Sequence, residues 1–147
     1  MENSSLYDQD TFYRQFERDL RHARHEVIIE SPFMTTRRMA TLLPILTKLR
    51  RRGVSIIINT RDPIEHDGDY YYQALDAVAT MQGMDIKVLY TTSHHRKIAI
   101  IDQEVFYEGS LNILSFSDTC EIMRRVASSV ETVRLLKFIG LEKYARR

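Results

Sequence analysis

Phe12, Phe16 and Leu20 recur at four-residue intervals with Tyr13 and Ala23 beside them, and Asp10 or Thr11 stands in front as a cap. That spacing lines the apolar residues along one stripe of a helix over residues 11–24. The next apolar run, Val27-Ile28-Ile29, is short, β-branched and closed by Pro32, which predicts a buried strand ending at about Ser31. Met39, Leu42, Leu43, Leu46 and Leu49 return to helical spacing. They predict a second helix capped by Thr35 or Thr36 and ended by Gly53, with Pro44 removing one backbone bond inside it. A second strand is expected over 54–59, an acidic loop over 62–69, a third helix near 70–81 stopping at Gly83, and a third strand over 85–90. Tyr71, Leu75 and Val78 fit the core stripe of that third helix.

Three strands, each preceded by a helix, call for parallel pairing and a sheet covered by helices. After Tyr90 the pattern changes. Residues 96–102 and 104–107 are two strand-like pieces with almost nothing between them, which predicts an antiparallel hairpin turning near Asp102-Gln103. A further strand is expected over 121–126. A last helix over 130–139 opens on the capping box Ser128-x-x-Glu131, carries Val133, Leu136 and Phe138, and stops at Gly140. The expected fold is therefore a single α/β domain over residues 1–147. Its sheet is mixed and mainly parallel, flanked by helices on both faces, with an antiparallel hairpin added.

At 147 residues and 44% hydrophobic content the chain can bury one real core, which excludes intrinsic disorder. Lys and Arg number 21 against 20 Asp and Glu, a formal charge of +1, so a wholly electrostatic polyanion binder is excluded and any polyanion must be met locally. Residues 37–52 provide such a place, holding Arg37, Arg38, Lys48, Arg50, Arg51 and Arg52 and no acid. The single cysteine, Cys120, cannot form an intrachain disulfide, which fits a reducing compartment. The opening Met1-Glu2-Asn3-Ser4-Ser5 is unlike a secretion signal, and no apolar run approaches the roughly 20 residues that cross a bilayer. A cytoplasmic protein without a membrane partner is expected.

The chemistry concentrates in residues 95–112. His95 and Lys97 lie two apart, so on a strand they project to one side about 6.6 Å apart and can converge on one small anion, a phosphate being the obvious candidate. Gly109 permits close backbone approach, and Ser110 and Asn112 add a hydroxyl and a carboxamide able to bond phosphate oxygens.

This stretch resembles the HKD motif of the phospholipase D superfamily, His-x-Lys-x4-Asp followed by Gly-Ser-x-Asn, with every specified position filled. The stretch after Asn112, with Leu114-Ser115-Phe116-Ser117 and Glu121-Ile122-Met123-Arg124, is similar to compact bacterial HKD domains that stand alone or are attached to helicase-like proteins. The resemblance implies that His95 is a nucleophile forming a phosphohistidine, and that Lys97, Ser110 and Asn112 hold the phosphate oxygens. It further implies that Glu121 accepts from the imidazole, that Asp102 and Gly109 are structural, and that neither metal nor cofactor takes part. Because the chain carries one such motif, it implies a homodimer in which the second histidine, the acid for the leaving oxygen, comes from another subunit. Phe33, Phe106 and Phe116 are candidates for that interface.

The preferred reading is a metal-independent phosphodiesterase, a DNA endonuclease, with Arg37, Arg38, Arg51, Arg52 and Arg124 or Arg125 along the nucleic-acid backbone. The alternatives are a phospholipase D-type lipid hydrolase and a non-catalytic nucleic-acid-binding or regulatory module, with a helicase-like protein among the candidate partners. Plainer readings hold elsewhere. His94 turns to the opposite face and packs or caps, and His22 and His25 sit on a solvated helix face without further metal ligands. Asp62, Glu65, His66, Asp67 and Asp69 form an ordinary acidic loop.

Overall fold

The computed structural model describes residues 3–146. Their strands form one seven-stranded sheet. In chain order the elements are β1 (Ser4–Tyr7), α1 (Phe12–Arg21), β2 (Glu26–Glu30), α2 (Thr36–Arg51) and β3 (Ser55–Thr60), a 3-10 turn at Pro63–Glu65, then α3 (Asp69–Gly83), β4 (Lys87–Tyr90), β5 (Ile98–Ile101), β6 (Val105–Gly109), β7 (Met123–Ala127) and α4 (Ser129–Phe138). The spatial order is β1-β7-β6-β5-β2-β3-β4.

The mixed α/β sheet with helices on both faces is the expected architecture, but its antiparallel share is larger. Among the described residues β2–β3 and β3–β4 pair in parallel, while β5 pairs antiparallel with β2, and β6, β7 and β1 continue in antiparallel order. The hairpin inserts beside β2 and becomes the middle of the sheet. The strand at β1, which the sequence reading missed, is a four-residue edge strand, Ser-Ser-Leu-Tyr, too short to show a period.

Strand alternation divides the interior in two. Val27, Ile29, Ile56, Ile58, Ala99, Ile101, Tyr107 and Met123 face α1, α2 and α3, while Ile28, Ile57, Ile98, Ile100, Phe106 and Val126 face α4 through Leu136 and Ile139. Each central strand is thus apolar on both sides, which explains its unbroken β-branched sequence. α1 buries Phe12, Phe16 and Leu20 as its period requires.

α3 departs from expectation: Ala74, Ala77, Val78 and Met81 are buried, while Leu75 and Tyr72 are exposed. Both stripes obey helical spacing, and small alanines let the helix sit close to the sheet. Phe138 on α4 likewise points outward, 86% exposed, while Leu136 takes the core position. Phe106 belongs to the second core, so its proposed place in a subunit interface is corrected.

Two local devices open helices α4 and α2. Ser128 accepts from the Glu131 N–H at 3.2 Å and opens α4 as the capping box predicts. The amide oxygen of Gln73 on α3 accepts from the Thr36 N–H at 2.9 Å, filling at the start of α2 the role expected of a threonine side chain.

Candidate functional site

The parallel strands β2 and β3 deliver their C-terminal ends, Glu30-Ser31 and Asn59-Thr60, to the edge where β5 begins, because Glu30 pairs with Ile98. Such an edge is where open α/β sheets collect ligand-binding loops. β6 ends there at Gly109, and β7 starts there at Met123, its register partner. His95, Lys97, Ser110, Asn112 and Glu121 therefore all sit at one end of the sheet.

Gly109 is required by packing. A Cβ at this position would lie 2.1 Å from the Ile122 carbonyl oxygen and 2.8 Å from the Met123 sulfur. The approach continues into Ser110, whose N–H donates to the Ile122 oxygen at 2.9 Å and whose hydroxyl accepts from the Ile122 N–H at 3.0 Å.

Around this frame the polar groups differ in burial. The His95 ring is exposed, whereas Lys97 is buried and its ammonium donates to the His95 carbonyl at 2.7 Å. Burial pushes the Lys97 ammonium below the usual lysine range, opposed by the Glu121 carboxylate and reinforced by the Arg61 charge. The Glu121 carboxyl is held below its usual range by hydrogen bonds from Ser110 and Thr119, with a smaller effect of Lys97. Its backbone N–H donates to Gln9 at 3.0 Å. Among the described residues the Glu121 carboxylate accepts from the Thr119 hydroxyl, and the expected bond to the His95 ring is not made within one chain. The Asn112 side-chain oxygen is buried with no hydrogen-bond partner among the described residues.

Beneath the motif lies a network that the sequence reading did not find. Glu30, fully buried at the end of β2, receives the Arg96 guanidinium in a two-bond clamp, Nε at 2.8 Å and Nη2 at 2.9 Å. It also accepts from the Asn59 amide at 2.8 Å, and Asn59 in turn accepts from the Thr91 hydroxyl at 2.8 Å. Arg61 donates to the His94 carbonyl at 2.9 Å and lies over the Phe33 ring at 5.4 Å. A carboxylate closing an otherwise apolar strand is the one signal that could have announced this network.

His94 is buried, its Nε2 has no partner among the described residues, and burial holds its imidazole below the usual histidine range. In the acidic loop Asp62 caps Ile64, Glu65 accepts from the Ser93 N–H at 3.0 Å, and His66 packs on Phe33. Among the described residues no group of three or more His, Cys, Asp or Glu side chains is placed to hold a metal ion. Cys120, beside Glu121, is exposed.

Asp102 stands at the far end of the hairpin. It accepts from three consecutive backbone N–H groups, Arg24 at 2.9 Å, His25 at 2.7 Å and Glu26 at 2.9 Å. With Gln103 it forms the turn, φ +54° and +55°.

The expected basic track loses one member to the interior, and its others lie at unequal distances from the site. Arg38 is fully buried: its Nη1 donates to Glu17 at 2.7 Å, its Nε to the Ile113 carbonyl at 3.1 Å, and its guanidinium lies over Tyr13 at 4.7 Å. It is structural, and its place as a nucleic-acid contact is corrected. Its neighbour Arg37 is exposed beside Phe116. Arg51 and Arg52 are at the other end of α2, about 21 Å away by helical rise, where Arg52 bonds the Arg21 and Ala23 carbonyls. Arg124 does flank the site, in a groove of about 510 Å³ that also includes Lys97, Gly109, Leu6, Ile122 and Phe138. Arg125 is committed to Asp19, at 2.7 Å.

Comparison with known proteins covers almost the same span. The family described as "Cardiolipin synthase, PLD-like domain" matches residues 16–137. Nuc, a phospholipase D family member from Salmonella typhimurium, superposes with a TM-score of 0.71 at 14% identity, covering 92% of this chain and 91% of that one. NucT from Helicobacter pylori gives 0.70 at 18% identity with the same coverage of 92% and 91%. TrmBL2, an archaeal chromatin protein described as having a novel mode of DNA binding, gives 0.68 at 11% identity over 98% of this chain and 52% of its own. At these identities the likeness is one of fold. No curated protein matches the chain, and among the described residues no helix is long and apolar enough to cross a membrane.

Proposed function

The chain belongs to the phospholipase D-like family, and from that premise we propose that it is a phosphodiesterase, specifically a DNA endonuclease working through a phosphohistidine at a site shared by two subunits. The observation that carries this reading is the gathering of His95, Lys97, Ser110, Asn112 and Glu121 at one end of the sheet.

In this reading an imidazole nitrogen of His95 forms a bond to phosphorus as the P–O bond to the leaving group breaks. His95 of the partner subunit gives that oxygen its proton. Water then attacks the phosphohistidine, giving a proton to the same partner ring as the N–P bond breaks. Lys97 and the Ser110 hydroxyl offset the charge that builds on the non-bridging oxygens, and no metal ion is needed for that task. An ammonium already partly desolvated interacts more strongly with a phosphate than a solvated one does.

The shared site has support in the groove beside it. Leu6, Ile122 and Phe138 are 56%, 54% and 86% exposed there, next to Lys97 and Gly109. A second subunit would cover such a patch.

The test is incubation with single-stranded DNA, duplex DNA, RNA and phosphatidyl lipids in excess chelator, alongside His95→Ala. Cleavage of DNA that disappears in the variant supports the reading. Turnover of lipid in place of nucleic acid, or activity appearing only with added magnesium, overturns it. A monomer by sedimentation with full turnover overturns the shared site alone.

A further inference from the structure

The outer face of α1 and α2 is far more basic than the chain as a whole. Arg14, Arg18 and Arg21 fall within about 60° of one another around α1, opposite Phe12, Phe16 and Leu20, and all three are exposed. Arg37, Lys48, Arg51 and Arg52 fall on the corresponding arc of α2 and are exposed as well. Among the described residues the acids within these helices pair with one of these cations, Arg21. α2 has none, Glu17 is taken by Arg38 at 2.7 Å and Arg21 at 3.7 Å, and Asp19 is taken by Arg125 at 2.7 Å. In a chain whose net charge is +1, seven exposed cations on one face are a concentrated field.

The two rows converge. Arg52 bonds the Arg21 and Ala23 carbonyls, and a groove of about 330 Å³ between the helices is bordered by Arg21, Lys48 and Arg52 with Thr41 and Pro44. At the other end Arg37 lies over Phe116, four residues past Asn112. From Arg37 to Arg51 the helical rise is about 21 Å, and at 3.4 Å per nucleotide along one strand this matches about six phosphates.

We propose that the outer face of α1 and α2 is a second polyanion-binding surface, which holds the phosphate backbone of a nucleic-acid strand running away from the candidate site. The proposal rests on nucleic acid being the polymer, as in the reading above. Chemistry on the same face argues against a lipid surface. The large exposed hydrophobic side chains, Leu6, Ile64, Tyr70, Tyr72, Leu75, Tyr90, Phe116, Ile122, Val130 and Phe138 among them, all lie outside α1 and α2. An interfacial helix needs an exposed apolar face to insert, and here the cations, Thr41 and Pro44 stand over Ile45 and Leu49, which are buried.

The test measures binding of a labelled duplex oligonucleotide by anisotropy between about 0.05 and 0.4 M salt, using His95→Ala protein so that cleavage does not intervene. Arg18→Glu and Lys48→Glu, singly and together, are introduced into that background. Each reversal is expected to reduce the slope of log affinity against log salt by about 1. At 0.1 M salt each lost contact should weaken binding about eightfold, taking the electrostatic contribution to vanish near 1 M. Arg18→Lys with Lys48→Arg should retain the slope. An unchanged slope in the double reversal overturns the proposal. So does a fall in Tm without a change in binding, which would mean that these cations serve only the helix C-termini. Loss of binding to anionic phosphatidylglycerol vesicles with oligonucleotide binding intact overturns it in favour of a membrane. If unmodified protein cleaves no diester while the slope still follows Arg18 and Lys48, the surface stands and the catalytic reading falls.

Discussion

Removing the Asp102 carboxylate should separate folding from chemistry in the motif. Asp102 receives three backbone N–H groups, from Arg24, His25 and Glu26. Arg24 and His25 are exposed, so water can take over much of their bonding and each is worth about 1 kcal/mol, while the bond from buried Glu26 is worth about 1.5–2 kcal/mol. Alanine at φ +54° adds on the order of 1 kcal/mol of backbone cost. Asp102→Ala is therefore expected to lose about 4–5 kcal/mol, and at 2–4 °C per kcal/mol for a domain of this size Tm falls by roughly 8–20 °C. Asp102→Asn tolerates the turn and keeps one acceptor oxygen, so its loss should be about 1–2 kcal/mol. Thermal unfolding measures both. His95 is seven residues away along the hairpin, roughly 23 Å, so diester turnover per folded molecule should persist in Asp102→Asn at 20 °C. If turnover disappears while Tm is unchanged, Asp102 acts in the chemistry and the argument is wrong.

Other expectations follow from the same contacts. Gly109→Ala forces a Cβ to within 2.1 Å of the Ile122 oxygen, so strand β6 must part from β7, and a loss of at least about 2 kcal/mol by denaturant titration is expected together with reduced turnover. Arg38→Ala strands Glu17 and should cost about 3 kcal/mol, a part of it recovered in the double variant with Glu17→Gln; full stability in the single variant would contradict the structural assignment. His94 has its proton affinity depressed by burial, so the native state binds fewer protons than the unfolded chain just below the ordinary histidine value of about 6.5. Stability should thus rise with pH through that window and be lost as pH falls, and His94→Gln should flatten the slope seen in unfolding at stepped pH. Because Lys97 is likewise depressed, the alkaline limb of the proposed diester cleavage should sit below the ordinary lysine range, and Lys97→Arg should move it upward.

Much of the chain was readable because period and burial coincide. Phe12, Phe16 and Leu20 have one helical stripe to choose and took it, and Val27–Ile29 and residues 98–101 are apolar on both sides because both sides are covered. The failures occur where local pattern underdetermines packing. In α3 both a Tyr71-Leu75-Val78 stripe and an Ala74-Ala77-Val78-Met81 stripe are helical, and only the sheet decides between them. In the basic run Arg38 and Arg37 are neighbours in sequence, yet a 100° turn sends one into Glu17 and the other into solvent. Of the motif residues, His95, Lys97, Gly109, Ser110 and Asn112 were visible from strand spacing and residue chemistry, and Asp102 and Glu121 from the resemblance to the HKD motif. Glu30, Arg96, Asn59 and Arg61, which support them, come from separate segments whose meeting depends on topology.

The four-residue spacer between Lys97 and Asp102 is Ile98-Ala99-Ile100-Ile101, all of it buried between the two helical layers. Inserting one residue there would swap which layer each isoleucine enters, and inserting two would carry the turn about 6–7 Å beyond the amides that receive it. The interval in the motif is thus a ruler for the length of the sheet here, set by the distance from the rim that holds Lys97 to the anchor at Asp102.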